Sequence, residues 1–225
     1  YPDLADGEYG KVPENTSILG AAKLTGKTAG GLSIGIMESV TALERADIAA
    51  PGGDRQQAVE PTTNYFVGRV MQDYDEGNTV IGAMMTAVNR NIEDSHLGFL
   101  RRSAYAGGLD LQHHFHDRDY RLEARVFGSH LRGDAEAIDL VQTSSARYFQ
   151  RPDNNSATYD PTRTSLGGSA GSLLLTRTGN NTPFMFQTGG AWRTPGFEIN
   201  DLGYMRRADE INQSTWAGYT KRNPF

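Results

Sequence analysis

Apolar and polar residues alternate with a period of two in about nine stretches of the chain, at residues 17–28, 31–41, 64–74, 79–89, 103–116, 119–130, 165–177, 183–193 and 212–220. That period puts successive side chains on opposite faces of a β-strand, so the stretches predict strands. Clusters of Gly, Asn, Asp and Pro separate them, as turn chemistry requires. Many reach the roughly 9 to 11 residues that a tilted strand needs to cross a bilayer, whereas soluble strands are usually shorter.

The connections sharpen this expectation. Thr28-Ala29-Gly30-Gly31, Asp75-Glu76-Gly77-Asn78, Asp117-Arg118-Asp119 and Gly179-Asn180-Asn181-Thr182 are tight polar turns suited to antiparallel hairpins. Between them fall long connections over 42–62, 91–102, 132–164 and 194–211, so short and long alternate in strict order. In an up-and-down arrangement all short turns gather at one end and all long loops at the other. Outer-membrane barrels have this asymmetry, with short periplasmic turns and long extracellular loops.

The segment 109–127 shows the alternation best. Tyr105, Gly107, Leu109, Leu111 and Phe115 fall on one face of its first strand, while Asp110, Gln112, His114 and His116 fall on the other. Past the turn, Tyr120, Leu122, Ala124 and Val126 oppose Arg121, Glu123 and Arg125. A hairpin apolar on one side and charged on the other suits a wall between lipid and a wet lumen. Asp110, His114, His116, Arg121, Glu123 and Arg125 are therefore the candidate lumen-facing binding residues; His113 is a polar misfit on the apolar face.

Other strands follow less cleanly. Ile18, Gly20, Ala22 and Leu24 oppose Lys23, Thr25 and Lys27, and Phe184, Phe186 and Trp192 oppose Gln187 and Arg193, but Glu38 interrupts an apolar face. Stretches 79–89 and 165–177 are too rich in Gly, Ala, Met and Leu for alternation to assign a face. Tyr74, Phe115, Tyr120 and Phe184 lie near short turns, and Phe66, Tyr105, Trp192 and Trp216 toward long loops, which reads as two aromatic belts. The expected fold is all-β, an up-and-down antiparallel transmembrane β-barrel in a Gram-negative outer membrane, with the lipid bilayer as partner. The competing class is a soluble or surface-attached glycan-binding or glycan-degrading β protein whose sheet has one wet face.

Residues 134–150, inside the longest loop, read as a helix, with Asp134 placed to cap its N-terminus and Ile138, Val141 and Phe149 as anchors. Such a segment either forms a lid over the barrel mouth or packs against neighbouring loops.

Composition changes the picture mainly by exclusion. The balance of 22 basic and 27 acidic residues, net -5, lacks the basic excess of a nucleic-acid binder. The absence of cysteine removes disulfides, thiolate zinc sites and cysteine nucleophiles. No stretch approaches the ~18 consecutive apolar residues of a membrane helix, which leaves a barrel open because its strands alternate. His114, His116 and Asp110 share a face at a spacing of about 7 Å per two residues, but no distant partner completes a ligand set, so no metal or other cofactor is expected. Residues 26–31 lack the spacing of a phosphate loop, and Ser165 and Ser169 lack a nucleophile elbow. The chain is expected not to be an enzyme.

Ile18 to Thr28, read ILGAAKLTGKT, and Gly31-Leu32-Ser33-Ile34-Gly35 resemble the start of the barrel region in the DUF5916 family. The likeness continues through Glu60-Pro61-Thr62-Thr63-Asn64-Tyr65, Ala87-Val88-Asn89-Arg90, residues 144–152 (SSARYFQRP) and residues 196–205 (GFEINDLGYM), and so covers nearly the whole chain. The resemblance implies a large envelope protein with an N-terminal domain similar to family 9 carbohydrate-binding modules and a C-terminal outer-membrane-type barrel. It implies binding, transport or surface anchoring, with carbohydrate or other envelope proteins as partners, and it supplies no catalytic motif. Residues 1–225 are expected to form one domain, an internal piece of a longer barrel, since nine strands are an odd set.

Overall fold

In the computed structural model, which describes residues 2–153, 155–178 and 182–220, the alternating stretches are strands. In chain order they are β1 (Tyr9–Lys11), β2 (Ile18–Lys27), β3 (Leu32–Thr41), β4 (Glu44–Ala49), β5 (Arg55–Glu60), β6 (Thr62–Tyr74), β7 (Thr79–Asn91), β8 (Arg101–Phe115), β9 (Tyr120–Gly133), β10 (Ser165–Arg177), β11 (Phe184–Arg193) and β12 (Glu210–Tyr219), with one α-helix, α1 (Ala135–Thr143). The fold is all-β and its pairings are antiparallel.

The nine expected strands form a single sheet in the order β12-β11-β10-β9-β8-β7-β6-β3-β2. Each pairs with its neighbour in the chain, except that β3 meets β6 across an inserted hairpin. That insertion, β4 and β5 with β1 alongside, is a small second sheet within what the alternation reads as one long loop. Its strands have three to six residues; Ala46 and Ile48 are buried on one face of it, and Ala58 is buried against Ile92 and Leu97. Among the described residues the large sheet is open, since β2 and β12 each have one paired neighbour.

Register fixes which side chains share a face. Leu109 sits opposite Val126 and Ala83, which in turn meet Gly171 and Val70 across the next strands. Paired residues point the same way in an antiparallel sheet. One face thus carries Leu24, Ile36, Val70, Ile81, Leu109, Val126 and Leu173, all well exposed. Nothing among the described residues packs over them as a second layer. The stretches in β7 and β10 also resolve, with Ile81, Ala83, Met85, Leu173 and Leu175 on this apolar face.

The short turns lie together at one end. Asp75 and Glu76 (φ 52° and 53°) precede Gly77 (φ 84°), and the Gly77 amide donates to Asp73 Oδ1 at 2.6 Å. The next turn places His116, Asp117 and Arg118 successively in the left-handed region (φ 50°, 53° and 64°) and closes with Asp119 N donating to His116 O at 2.9 Å. The expected turn at Gly179-Asn180-Asn181 lies outside the described residues.

The long connections are folded segments. Helix α1 buries Ile138 and Val141, and Phe149 beyond it, against Tyr65, Val88, Ala104, Leu131 and Leu166 of the sheet. All three expected anchors are used. The helix stops at Thr143 rather than Gln150, because Ser144 turns to extended backbone (ψ 154°). Asp134 has the backbone of a cap, but its side chain makes no capping bond. Its carboxylate accepts instead from Arg102 Nε and Nη2 at 3.1 and 3.2 Å. The connection after β11 forms a second core, Phe197, Met205 and Ala208 with Phe127, Ala170 and Ile199.

Close backbone approach lets this second connection dock. A Cβ on Gly168 would collide with the backbone of Gly196 and Phe197, whereas one on Gly128 would meet only ordinary contact at 3.9 Å. Gly168→Ala should therefore cost about 1–3 kcal/mol of stability through overpacking, and Gly128→Ala much less. Denaturant midpoints of the two variants measure this; equal midpoints would mean that the segment lies free of the strand.

Candidate functional site

Alternation carries Arg69 of β6, Asp110, Gln112 and His114 of β8 and Arg121, Glu123 and Arg125 of β9 to the face opposite the apolar one, where register brings them side by side. Asp110 accepts two hydrogen bonds from the Arg69 guanidinium, one of them Nη2 to Oδ1 at 2.8 Å, and stands in register with Arg125. Glu123 lies between two arginines, with Arg121 Nε at 3.2 Å from Oε2 and Arg125 Nη2 at 3.4 Å from Oε1. His114 contacts Gln112 through Nε2 at 3.2 Å and pairs in register with Arg121. A glycine makes room for the Arg69 bridge, since a Cβ on Gly82 would strike both partners.

Five of the six sequence-predicted site residues are thus assembled. His116 is not. Its positive φ ends the strand at Phe115, so alternation no longer governs it. The ring packs near Phe115 and Tyr120, with centroids 6.1 and 5.8 Å away, at the rim of the apolar face. His114 and His116 therefore do not share a site. Among the described residues no group of three or more His, Asp and Glu is arranged to hold a metal.

The array has three arginines for two carboxylates and is half-exposed, so it presents a hydrated, alternating field rather than one buried reactive group. A concavity of about 430 Å³ adjoins Glu123 and Arg125 on this face and is bounded by Ser172, Leu174, Asn212 and Ser214. Such an arrangement can orient a polar solute through several weak hydrogen bonds. It offers no nucleophile paired with a base.

The apolar face is bordered by aromatic rows. At the short-turn end His113, Phe115 and Tyr120 stack in series, with Tyr120 against Phe186 and the Arg177 guanidinium 5.2 Å from the Tyr120 ring centre. Arg177 also pairs with Asp119 at 2.9 Å. At the long-loop end stand Phe66, Tyr105 and Trp192, the last laid over Gly171, and Tyr105 donates its hydroxyl to Asn89 at 2.6 Å. Trp216 belongs to neither row: it is in register with Gln187, on the polar face and nearer the short turns.

A second constellation escapes the alternation. Arg90 and Arg101 converge on Asp201, each at 2.8 Å, and Arg147 meets Glu198 at 2.8 Å. The Arg147 and Glu198 side chains are 1% and 4% exposed. Burial pulls the Arg147 guanidinium down from its ordinary pKa, while Glu198 holds it up. Arg147 further donates to the carbonyls of Pro195 and Phe197 at 3.1 and 2.5 Å. Arg90, Arg147, Glu198 and Asp201 come from three of the stretches that carry the family likeness, at 87–90, 144–152 and 196–205, while Arg101 lies outside them; the rejoining of those stretches in space is the signal that pairing charges across motifs would have found.

A family model described as "Domain of unknown function (DUF5916)" matches residues 3–225. No curated protein matches the chain. No solved structure does either.

Proposed function

The chain belongs to the DUF5916 family, and from that membership we propose that it is wall and loops of an outer-membrane β-barrel, with the apolar face toward lipid and the charged array toward a water-filled interior. The observation that carries this reading is the uncovered apolar band running through the large sheet between two aromatic rows. Leaving those side chains in water would forgo on the order of 1.5–3 kcal/mol for each Leu or Ile. A bilayer recovers it. Along β8 the band runs from Tyr105 to Phe115, and at ~3.4 Å per residue and a tilt of about 40° that gives about 26 Å, close to the ~25 Å apolar belt of such barrels. The Arg177 side chain at the aromatic rim suits a headgroup level, where a guanidinium can reach water.

The barrel serves binding, transport or anchoring at the cell surface, with carbohydrate as the ligand class that the family resemblance implies. The half-exposed polar array and the adjoining concavity are suited to hydroxyl-rich solutes, which need many weak partners. A soluble glycan-binding protein would have to cover the Leu109 and Val126 face with protein.

Topology provides the test. An up-and-down sheet changes sides only by crossing the bilayer, so the 75–78 and 116–119 turns belong to the periplasmic end and residues 134–164 and 194–209 to the outside. Cysteine at Asp153 should react with an impermeant thiol reagent on intact cells, and cysteine at Glu76 only after the envelope is opened. Reversed labelling overturns the orientation; equal labelling on intact cells overturns the barrel.

A further inference from the structure

The polar face of the large sheet is divided into two halves of different character. Toward the short turns it carries Arg69, Asp110, His114 and the Arg121, Glu123, Arg125 row. Toward the long connections the same face turns apolar, with Val88, Ala104, Phe127, Leu131, Leu166 and Ala170. The apolar half is where two of the long connections lie down on the sheet: α1 and Phe149 over the first group of strands, Phe197 and Met205 over the second.

These two connections are fastened to each other and to the strands. Arg147 ties one to the other through Glu198, and Ala208 N donates to Ala146 O at 3.1 Å. Asp201 ties them to β7 and β8 through Arg90 and Arg101. Glu198 N donates to Ser129 Oγ of β9 at 2.9 Å. Ile138 and Gln142 are fully buried, and Gln142 exchanges hydrogen bonds with the Asp160 backbone at 2.9 and 3.1 Å. Loops that merely crowned a barrel would have polar undersides and strands beneath them still lined for water.

We propose that residues 134–153, 155–164 and 194–209 form a fixed plug inside the barrel, sealing its interior at the long-loop end so that the charged array lines a chamber open only toward the short turns. This rests on the membrane reading above. The plug has a packed apolar underside and buried ion pairs, and so differs from a lid that swings on a hinge. Solute reaching Arg125 and Asp110 enters from the short-turn side, or from outside only after the plug is released.

Gln112 lies on the chamber face, within reach of reagent only through an open end. Cysteine at Gln112, in the full-length protein, is tested with an impermeant thiol reagent beside the Asp153 cysteine. The plug predicts at least a tenfold slower reaction at Gln112 on intact cells and comparable rates once the periplasmic side is opened. Comparable rates on intact cells would overturn the plug while leaving the barrel standing, because Asp153 and Glu76 report topology independently. A second arm adds Glu198→Gln and Asp201→Asn to the Gln112 cysteine. Loss of both carboxylates should accelerate its labelling on intact cells severalfold, and an unchanged rate in a variant that still reaches the envelope would overturn the role of the ion pairs as fasteners. In planar bilayers the unaltered protein should conduct severalfold less than this variant; equal conductance counts against the plug in the same way.

Discussion

Glu198→Ala should cost about 3–5 kcal/mol of stability, the range for removing one partner of a buried ion pair and leaving the other charge stranded. Arg147 would then be enclosed with only carbonyl partners and the Ser144 hydroxyl, at 3.5 Å from Nη1. The loss also releases the Asn200 amide, which donates to Glu198 Oε1 at 2.7 Å. Replacing both partners by apolar residues, Arg147→Met with Glu198→Leu, should recover most of the deficit, because neither charge then remains to be desolvated. Equilibrium unfolding of the lipid- or detergent-folded protein measures both. A single-variant cost under about 1 kcal/mol would place the pair among solvated surface bridges and contradict the burial described.

Leu109→Arg is the second large effect. Leu109 is 58% exposed at the middle of the apolar face; with that face in lipid, as proposed, a guanidinium at the bilayer midplane costs ~2–4 kcal/mol, falling to ~0–1 near the interfaces. Ile211 lies on the same face beside Trp192, at the long-loop margin, so Ile211→Arg should cost little. Ser214→Arg, on the polar face of β12, should be tolerated. Folding free energies into lipid vesicles test the depth dependence. A uniform penalty at Leu109 and Ile211 would point to a protein layer over the whole face, and no penalty at either would mean that the face is simply wet.

The nine strands of the large sheet were legible because runs of strand-forming residues, most of them alternating with period two, lie between turn residues. The inserted hairpin was not, since β4 and β5 are six residues long and Glu44-Arg45-Ala46-Asp47 looks like polar loop until Ala46 and Ile48 are seen to be buried. Alternation failed in 79–89 and 165–177 for a physical reason. There the polar face carries Val88 and Leu166 beneath the loops, so both faces are apolar and the pattern disappears. The charged array was legible apart from Arg69, whose own strand mixes Val67 and Met71 with it on one face. His116 was misplaced because period two says nothing once φ turns positive, and the Asp134 cap because a strand arginine, Arg102, competes for its carboxylate.

The chain-neighbour pairing of the sheet also constrains the order of assembly. Hairpins between adjacent strands close small entropic loops and can form early, whereas contacts between distant segments wait for them. Helix α1 lies on strands that all precede it or follow it directly, so most of its bed exists once β6 to β9 have zipped, and Leu166 of β10 completes it. Residues 194–209 need β10 and Arg147 in place before they can settle. In a sheet that rolls shut, both segments must be captured on the inner side before the last edges meet, because afterwards no gap remains wide enough to admit a folded helix. If the sheet closes as proposed, a variant that slows docking without weakening it would yield closed molecules with the segments stranded outside, a kinetic failure that equilibrium stability would not reveal.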